Sequence, residues 1–168
     1  MPQSLQVIAE VSIAFAGFSG LIVALRKRGG PLTDIQKLRL GVLLGLAFGA
    51  LFLALLPELL QLLGMSSSGL WRTACMIALL YSVVFVTFWA RSSWRFRRSV
   101  PEIFDNYAFA RMAAGHAVVV VLLLGVIASL LDQRAPGVYL AALIWYLIHA
   151  AQQFVRMLFI QPGDGMDG

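Results

Sequence analysis

The sequence predicts an all-α integral membrane protein, a five-helix transmembrane bundle. Three observations carry this. The chain is 60% hydrophobic with only 12% charged residues, and its mean hydropathy of +0.85 is far above that of soluble domains. Its apolar residues gather into five stretches, 5–25, 40–63, 70–90, 113–131 and 138–160, each long enough to cross about 30 Å of hydrocarbon. Lysine and arginine concentrate in alternate loops. Arg26, Lys27, Arg28, Lys37 and Arg39 follow the first span, and Arg91, Arg95, Arg97, Arg98 and Arg111 follow the third, whereas the loops after spans two and four carry only Arg72 and Arg134. The positive-inside rule puts the rich loops, 26–39 and 91–112, in the cytoplasm, the N-terminus outside and the C-terminus inside. Too little sequence lies outside the spans for a soluble core, so residues 1–168 are expected to form one transmembrane domain.

The first span imitates a signal peptide at Ala14-Phe15-Ala16, but no positive charge precedes it and Glu10 interrupts it. Small residues recur at Ser12, Ala16, Gly20 and Ala24, with Gly17 beside them. In the second span Gly41, Gly45 and Gly49 form a doubled GxxxG. Such stripes let helix backbones approach closely, so they read first as packing seams and second as narrow pore linings. If the two seams met, Glu58, about 140° from the glycine stripe, would face a different neighbour from Glu10. Thr33 with Gln36 predicts a capping box opening the second helix, and Ser99 with Glu102 and Pro101 predicts another ahead of the fourth. Pro57 is expected to kink the second span.

Between Arg91 and Arg111 arginines alternate with Trp94, Phe96, Ile103, Phe104, Tyr107 and Phe109, which suits an interfacial segment. Arg26, Lys27, Arg28, Arg91, Arg95, Arg97 and Arg98 are expected to contact anionic lipid headgroups, which explains the basic balance better than nucleic acid does. Spans three and four, the latter with its apolar run 118–124, are expected to face lipid. The outer turns are read at 66–69 and 132–137, where Pro136-Gly137 stands.

The fifth span is the most informative. Ala142, Trp145, Tyr146, His149, Gln152, Gln153 and Arg156 fall within about 120° on a helical projection, a stripe that must face protein or water. Glu10 and Glu58 both lie roughly 7 to 8 Å inside the outer boundary. An embedded carboxylate marks an ion path or an interhelical pair, with Arg72 as the candidate partner. Ordered by depth, Glu10 and Glu58, then His149, Gln152, Gln153 and Arg156, would make a polar column built on spans one, two and five. His149 could act there as a relay or gate, Arg156 could simply snorkel to the headgroups, and His116 is expected at the interface.

Two histidines, one cysteine (Cys75, inside a span) and no ligand cluster argue against a metal site, a cofactor or a disulfide. The leading expectation is a small homo-oligomeric channel or carrier for protons or another small ion, in the inner membrane of a bacterium. The alternatives are a non-catalytic scaffold or sensor that engages lipid or a partner protein, and, last, an enzyme acting on lipid. Ala9-Glu10-Val11-Ser12 followed by Phe15-Ala16-Gly17-Phe18 resembles the start of small bacterial membrane proteins. That resemblance covers one span and implies no activity.

Overall fold

The computed structural model describes residues 3–26, 33–99 and 106–159. All regular structure among them is helical: α1 (Gln3–Arg26), α2 (Asp34–Leu62), α3 (Ser67–Ser99), α4 (Asn106–Ile127) and α5 (Ala135–Phe159), with one 3-10 turn at Asp132–Arg134. All five helices are long and apolar enough to cross a membrane.

The capping box at the start of α2 forms as expected. The Gln36 backbone N–H donates to Thr33 Oγ1 at 3.3 Å, and the Thr33 N–H donates to Gln36 Oε1 at 3.1 Å. Of the second expected box, Ser99 stands in α3, which runs on through Arg91, Arg95, Arg97 and Arg98 as one helix; Pro101 and Glu102 lie outside the described residues. Trp94 and Phe96 with their arginines thus continue α3, and Tyr107, Phe109 and Arg111 stand in α4, while Ile103 and Phe104 lie outside the described residues. At the end of α3 Arg97 and Arg98 each lie over the Trp94 ring at 5.7 Å. Pro57 is buried within a helix that continues past it to Leu62.

The α2–α3 and α4–α5 connections use the same stop. After α2, Gly64 takes φ +80°, and the N–H groups of Gly64 and Met65 donate to the carbonyls of Gln61 and Leu60. After α4, Ser129 takes φ +61°, with Ser129 and Leu130 donating to Val126 and Gly125. Both are Schellman closures, in which a left-handed residue turns the chain back onto the last helical carbonyls. The turn residues expected at 66–69 mostly join the first turn of α3, and Pro136 and Gly137 join that of α5. Proline is tolerated there because first-turn N–H groups have no intrahelical acceptor.

Helices α2 and α5 form the centre. Leu43, Leu46, Ala47, Ala50, Leu53 and Ala54 on α2, and Tyr139, Leu143, Tyr146, His149 and Ala150 on α5, are buried. Helix α5 touches all four of the others, α1 lies along α2, and α3 packs against α2 and α4. The outward faces carry large apolar side chains, among them Phe48, Phe52, Val84, Phe88, Val118, Val121 and Leu124, which is compatible with a membrane helical bundle. The apolar run of α4 is only partly outward, since Val119 and Leu123 are buried.

The small-residue stripes divide. On α1, Ser12 is buried and Ala16 half-buried, whereas Gly17, Gly20 and Ala24 are exposed. On α2, Gly41 is exposed, but Gly45 and Gly49 receive an aromatic ring from α3. Tyr81 Oη donates to the Gly45 carbonyl at 2.6 Å, and a Cβ on Gly49 would stand 2.2 Å from the Tyr81 ring. The lower glycines of α2 thus seat a tyrosine, and their seam is not matched to the α1 stripe.

Candidate functional site

The polar stripe of α5 points inward, and its company comes from α3 and α4. On α3 the positions Cys75, Ala78, Ser82, Phe85, Trp89 and Ser93 recur every three or four residues and are all buried, so they form one face. On α4, His116 is 1% exposed, and on α5, His149 is fully buried. The two imidazoles meet directly, His116 Nε2 to His149 Nδ1, at 2.9 Å. Gln153 Nε2 lies 3.1 Å from His149 Nε2.

These contacts set a direction. An amide nitrogen only donates, so His149 Nε2 accepts from Gln153. With the Gln153 amide turned nitrogen-first and both rings neutral, the His149 proton sits on Nδ1 and is donated to His116 Nε2, which leaves the His116 proton on Nδ1. The result is a one-way chain, Gln153 to His149 to His116, that ends on an N–H with no acceptor, because His116 Nδ1 is buried without a partner.

An aromatic box surrounds the pair. Phe85, Trp89, Trp145 and Tyr146 have ring centroids 5.9, 6.0, 6.1 and 6.0 Å from that of His116, with Tyr146 stacked. Trp89 stands edge-on to His149 at 5.2 Å. A separate set of hydroxyl contacts lies beside the box. Tyr146 Oη and Ser82 Oγ are hydrogen-bonded, Ser82 Oγ donates to the Ala78 carbonyl at 2.9 Å, and Tyr139 Oη donates to the Leu53 carbonyl. Toward the other end of α5, Arg39 Nη1 donates to the Arg156 carbonyl at 3.1 Å.

The residues expected in the outer half of the column lie elsewhere. Glu10 is exposed on α1, where Gln6 Nε2 donates to its Oε1 at 3.0 Å. Glu58 is exposed on α2 and lines a surface cavity of about 210 Å³ with Gln61, Met65, Ser67 and Trp71. Arg72 is exposed and lines a second cavity, of about 420 Å³, with Trp71, Asp132 and Gln133. Neither glutamate pairs with Arg72: the salt bridge found among the described residues joins Lys37 to Asp34 at 2.9 Å. Within one chain the polar interior therefore belongs to α3, α4 and α5, and not to α1, α2 and α5. Gln152 and Arg156 are half-buried and Gln153 is buried. Arg91, Arg95, Arg97 and Arg98 are exposed on the end of α3; Lys27 and Arg28 lie outside the described residues, as does the side chain of Arg26.

His116 is the residue that sequence reasoning misplaced. Taking the fourth span to begin at 113 puts it at an interface, but α4 begins at Asn106 and carries it ten residues into the helix. The available signal was on α3, whose small, polar and aromatic residues repeat at helical spacing and so mark a face that needs a partner. Among the described residues no group of three or more His, Cys, Asp or Glu side chains could hold a metal ion. Comparison of the chain with family models, curated proteins and solved structures finds no match, so the His116–His149–Gln153 chain stands on its own geometry.

Proposed function

We propose that this protein is a small membrane-embedded carrier or channel subunit for protons, with His116 and His149 as the relay. The observation that supports this reading is the directed hydrogen-bond chain from Gln153 through His149 to His116 in the middle of the bundle. A hydrated ion needs an open path, whereas a proton needs only groups that donate on one side and accept on the other. An imidazole does both, receiving a proton at one ring nitrogen and releasing one at the other. The packed aromatic surroundings favour the proton over a larger ion. Gln153 holds the His149 ring in register, and the Tyr146 ring, whose hydroxyl bonds to Ser82, stacks on His116 beside the pair.

The same reading includes the bacterial inner membrane, with loops 26–39 and 91–112 on the cytoplasmic side and the N-terminus outside, supported by the distribution of lysine and arginine. It includes a homo-oligomer, supported by the open small-residue face at Gly17, Gly20 and Gly41, where an added Cβ would meet nothing within 4 Å.

Proton flux into liposomes, driven by a potassium gradient and read with a pH-sensitive dye, tests the relay. His149→Gln and His116→Gln should each lower the flux at least about tenfold, the scale of losing one positioned proton-transfer group, while Glu58→Gln should leave it unchanged. Equal flux in all variants would remove the roles assigned to the histidines. Flux no greater than in empty liposomes would favour the rival reading, a non-catalytic scaffold whose polar groups serve to hold helices together; the filled aromatic interior is what speaks for it.

A further inference from the structure

Among the described residues, the buried side-chain nitrogen and oxygen atoms lacking a hydrogen-bond partner are His116 Nδ1, Trp145 Nε1 and Gln152 Oε1. All belong to α4 and α5. An unpaired buried donor or acceptor is costly, and native interiors pair nearly all of theirs. This bundle does so elsewhere: Ser12, Ser19, Ser82, Tyr81 and Tyr139 each bond to a backbone carbonyl. The unpaired groups therefore all stand on the last two helices, and His116 and Trp145 face each other across them.

Their chemistry is lopsided. With the tautomers set by Gln153, His116 Nδ1 and Trp145 Nε1 are both N–H donors, on rings whose centroids lie 6.1 Å apart at 85°. The unpaired acceptor, Gln152 Oε1, is seven residues further along α5, about 10 Å along the axis. A water molecule at either donor would bring two more protons into a place already short of acceptors. A carbonyl oxygen brings only lone pairs.

The surroundings suit a flat apolar ring. Phe85, Trp89 and Tyr146 wall the His116 imidazole, and aromatic walls favour stacked or edge-on partners. On α4 the neighbours of His116 are Ala113, Ala114, Gly115 and Ala117, so the bulk at this level comes from the Trp145 indole. It rests so closely on Gly115 that a Cβ there would stand 1.9 Å from the ring. Trp145 is half-buried while His116 is fully enclosed, so the indole is the part of the box that reaches the bundle surface.

We propose that the α4–α5 seam at Trp145 is a binding site for a flat, lipid-soluble carbonyl compound of the quinone class. Such a molecule enters as the indole tilts away from Gly115, and its carbonyl accepts hydrogen bonds from His116 Nδ1 and Trp145 Nε1. The site is carried by packing and unpaired donors, independently of proton flux.

Decylubiquinone titrated into the full chain in lipid nanodiscs tests it, with tryptophan quenching and retained ligand both measured against empty nanodiscs. Saturable binding of one molecule per chain is expected. His116→Leu should weaken it about tenfold or more, and Trp145→Phe, which keeps the ring but removes the donor, should weaken it several-fold, as the loss of one hydrogen bond implies. If His116→Leu does not fold, Trp145→Phe carries the test. Uptake that never saturates, or saturable binding that both folded variants leave unchanged, overturns the site. A chain that binds decylubiquinone but passes no protons keeps the site and loses the relay; the reverse result keeps the relay and loses the site.

Discussion

The α1–α2 seam and the α3–α4–α5 interior solve the same problem with opposite means. Helices α1 and α2 run side by side, joined through Leu5, Ile8, Ala9 and Ser12 on α1 and the apolar face of α2. The serines there return their hydroxyls to their own helix, Ser12 to Ile8 and Ser19 to Ala16 at 2.7 Å each. Among the described residues no hydrogen bond crosses between them, and dispersion at close range holds the pair. In the other region aromatic side chains fill the space between helices, and side-chain hydrogen bonds cross it from α5 to both α3 and α4. The first region is held by fit alone. The second is held by fit and by donors that must find acceptors, so it tolerates fewer sequences.

That contrast orders the expected effects of substitution. His149→Ala should be the most damaging, since it opens a cavity and strips partners from both His116 and Gln153. A loss of about 3–5 kcal/mol is expected in detergent unfolding experiments, and a loss below about 1 kcal/mol would mean the imidazole chain contributes nothing to the core. Next is Gly49→Ala, whose new methyl collides with a Tyr81 ring held by its bond to Gly45. Overpacking of this kind costs about 1–3 kcal/mol, visible as a lower melting temperature. Gly17→Ala and Gly20→Ala should go the other way by up to about 1 kcal/mol each, the helix-propensity gain of alanine where no neighbour is crowded. A marked loss of stability at either glycine would show that its face is already covered, and cross-linking would then identify the covering copy. The smallest change is expected for Glu58→Gln. This side chain is exposed, so stability should stay within about 0.5 kcal/mol; a larger shift in the melting curve would tie Glu58 to a partner.

Much of the first region could be read from the chain. Apolar length defines the helices, and Thr33 and Gln36 announce the start of α2, whereas the small-residue stripe packs only at Ser12 and Ala16 on α1. The second region was legible from one side only. The α5 stripe says that polar groups need company but not which helix provides it, because a helical projection fixes a direction on one helix and not the neighbour in that direction. The choice of Glu10 and Glu58 followed from charge, and both lie outside. His116 reads as interfacial because hydropathy alone cuts α4 short at the residue where its apolar run begins, and Ser82 carries no charge to mark it. The pairing of Tyr81 with Gly45 and Gly49 was equally hidden: a glycine stripe reads the same whether it receives a helix backbone or a ring.

The left-handed serine that ends α4 has a consequence for how the bundle assembles. His116 and His149 stand 33 residues apart, on the two arms of a single helical hairpin closed by Ser129 and the 3-10 turn. Their contact needs neither α1 nor α2, so its loop-closure entropy is small and it can form as soon as the two arms exist. The most polar part of the interior is thus a product of the last hairpin alone. The rest of the chain can then pack around a pair of imidazoles that have each other as partners.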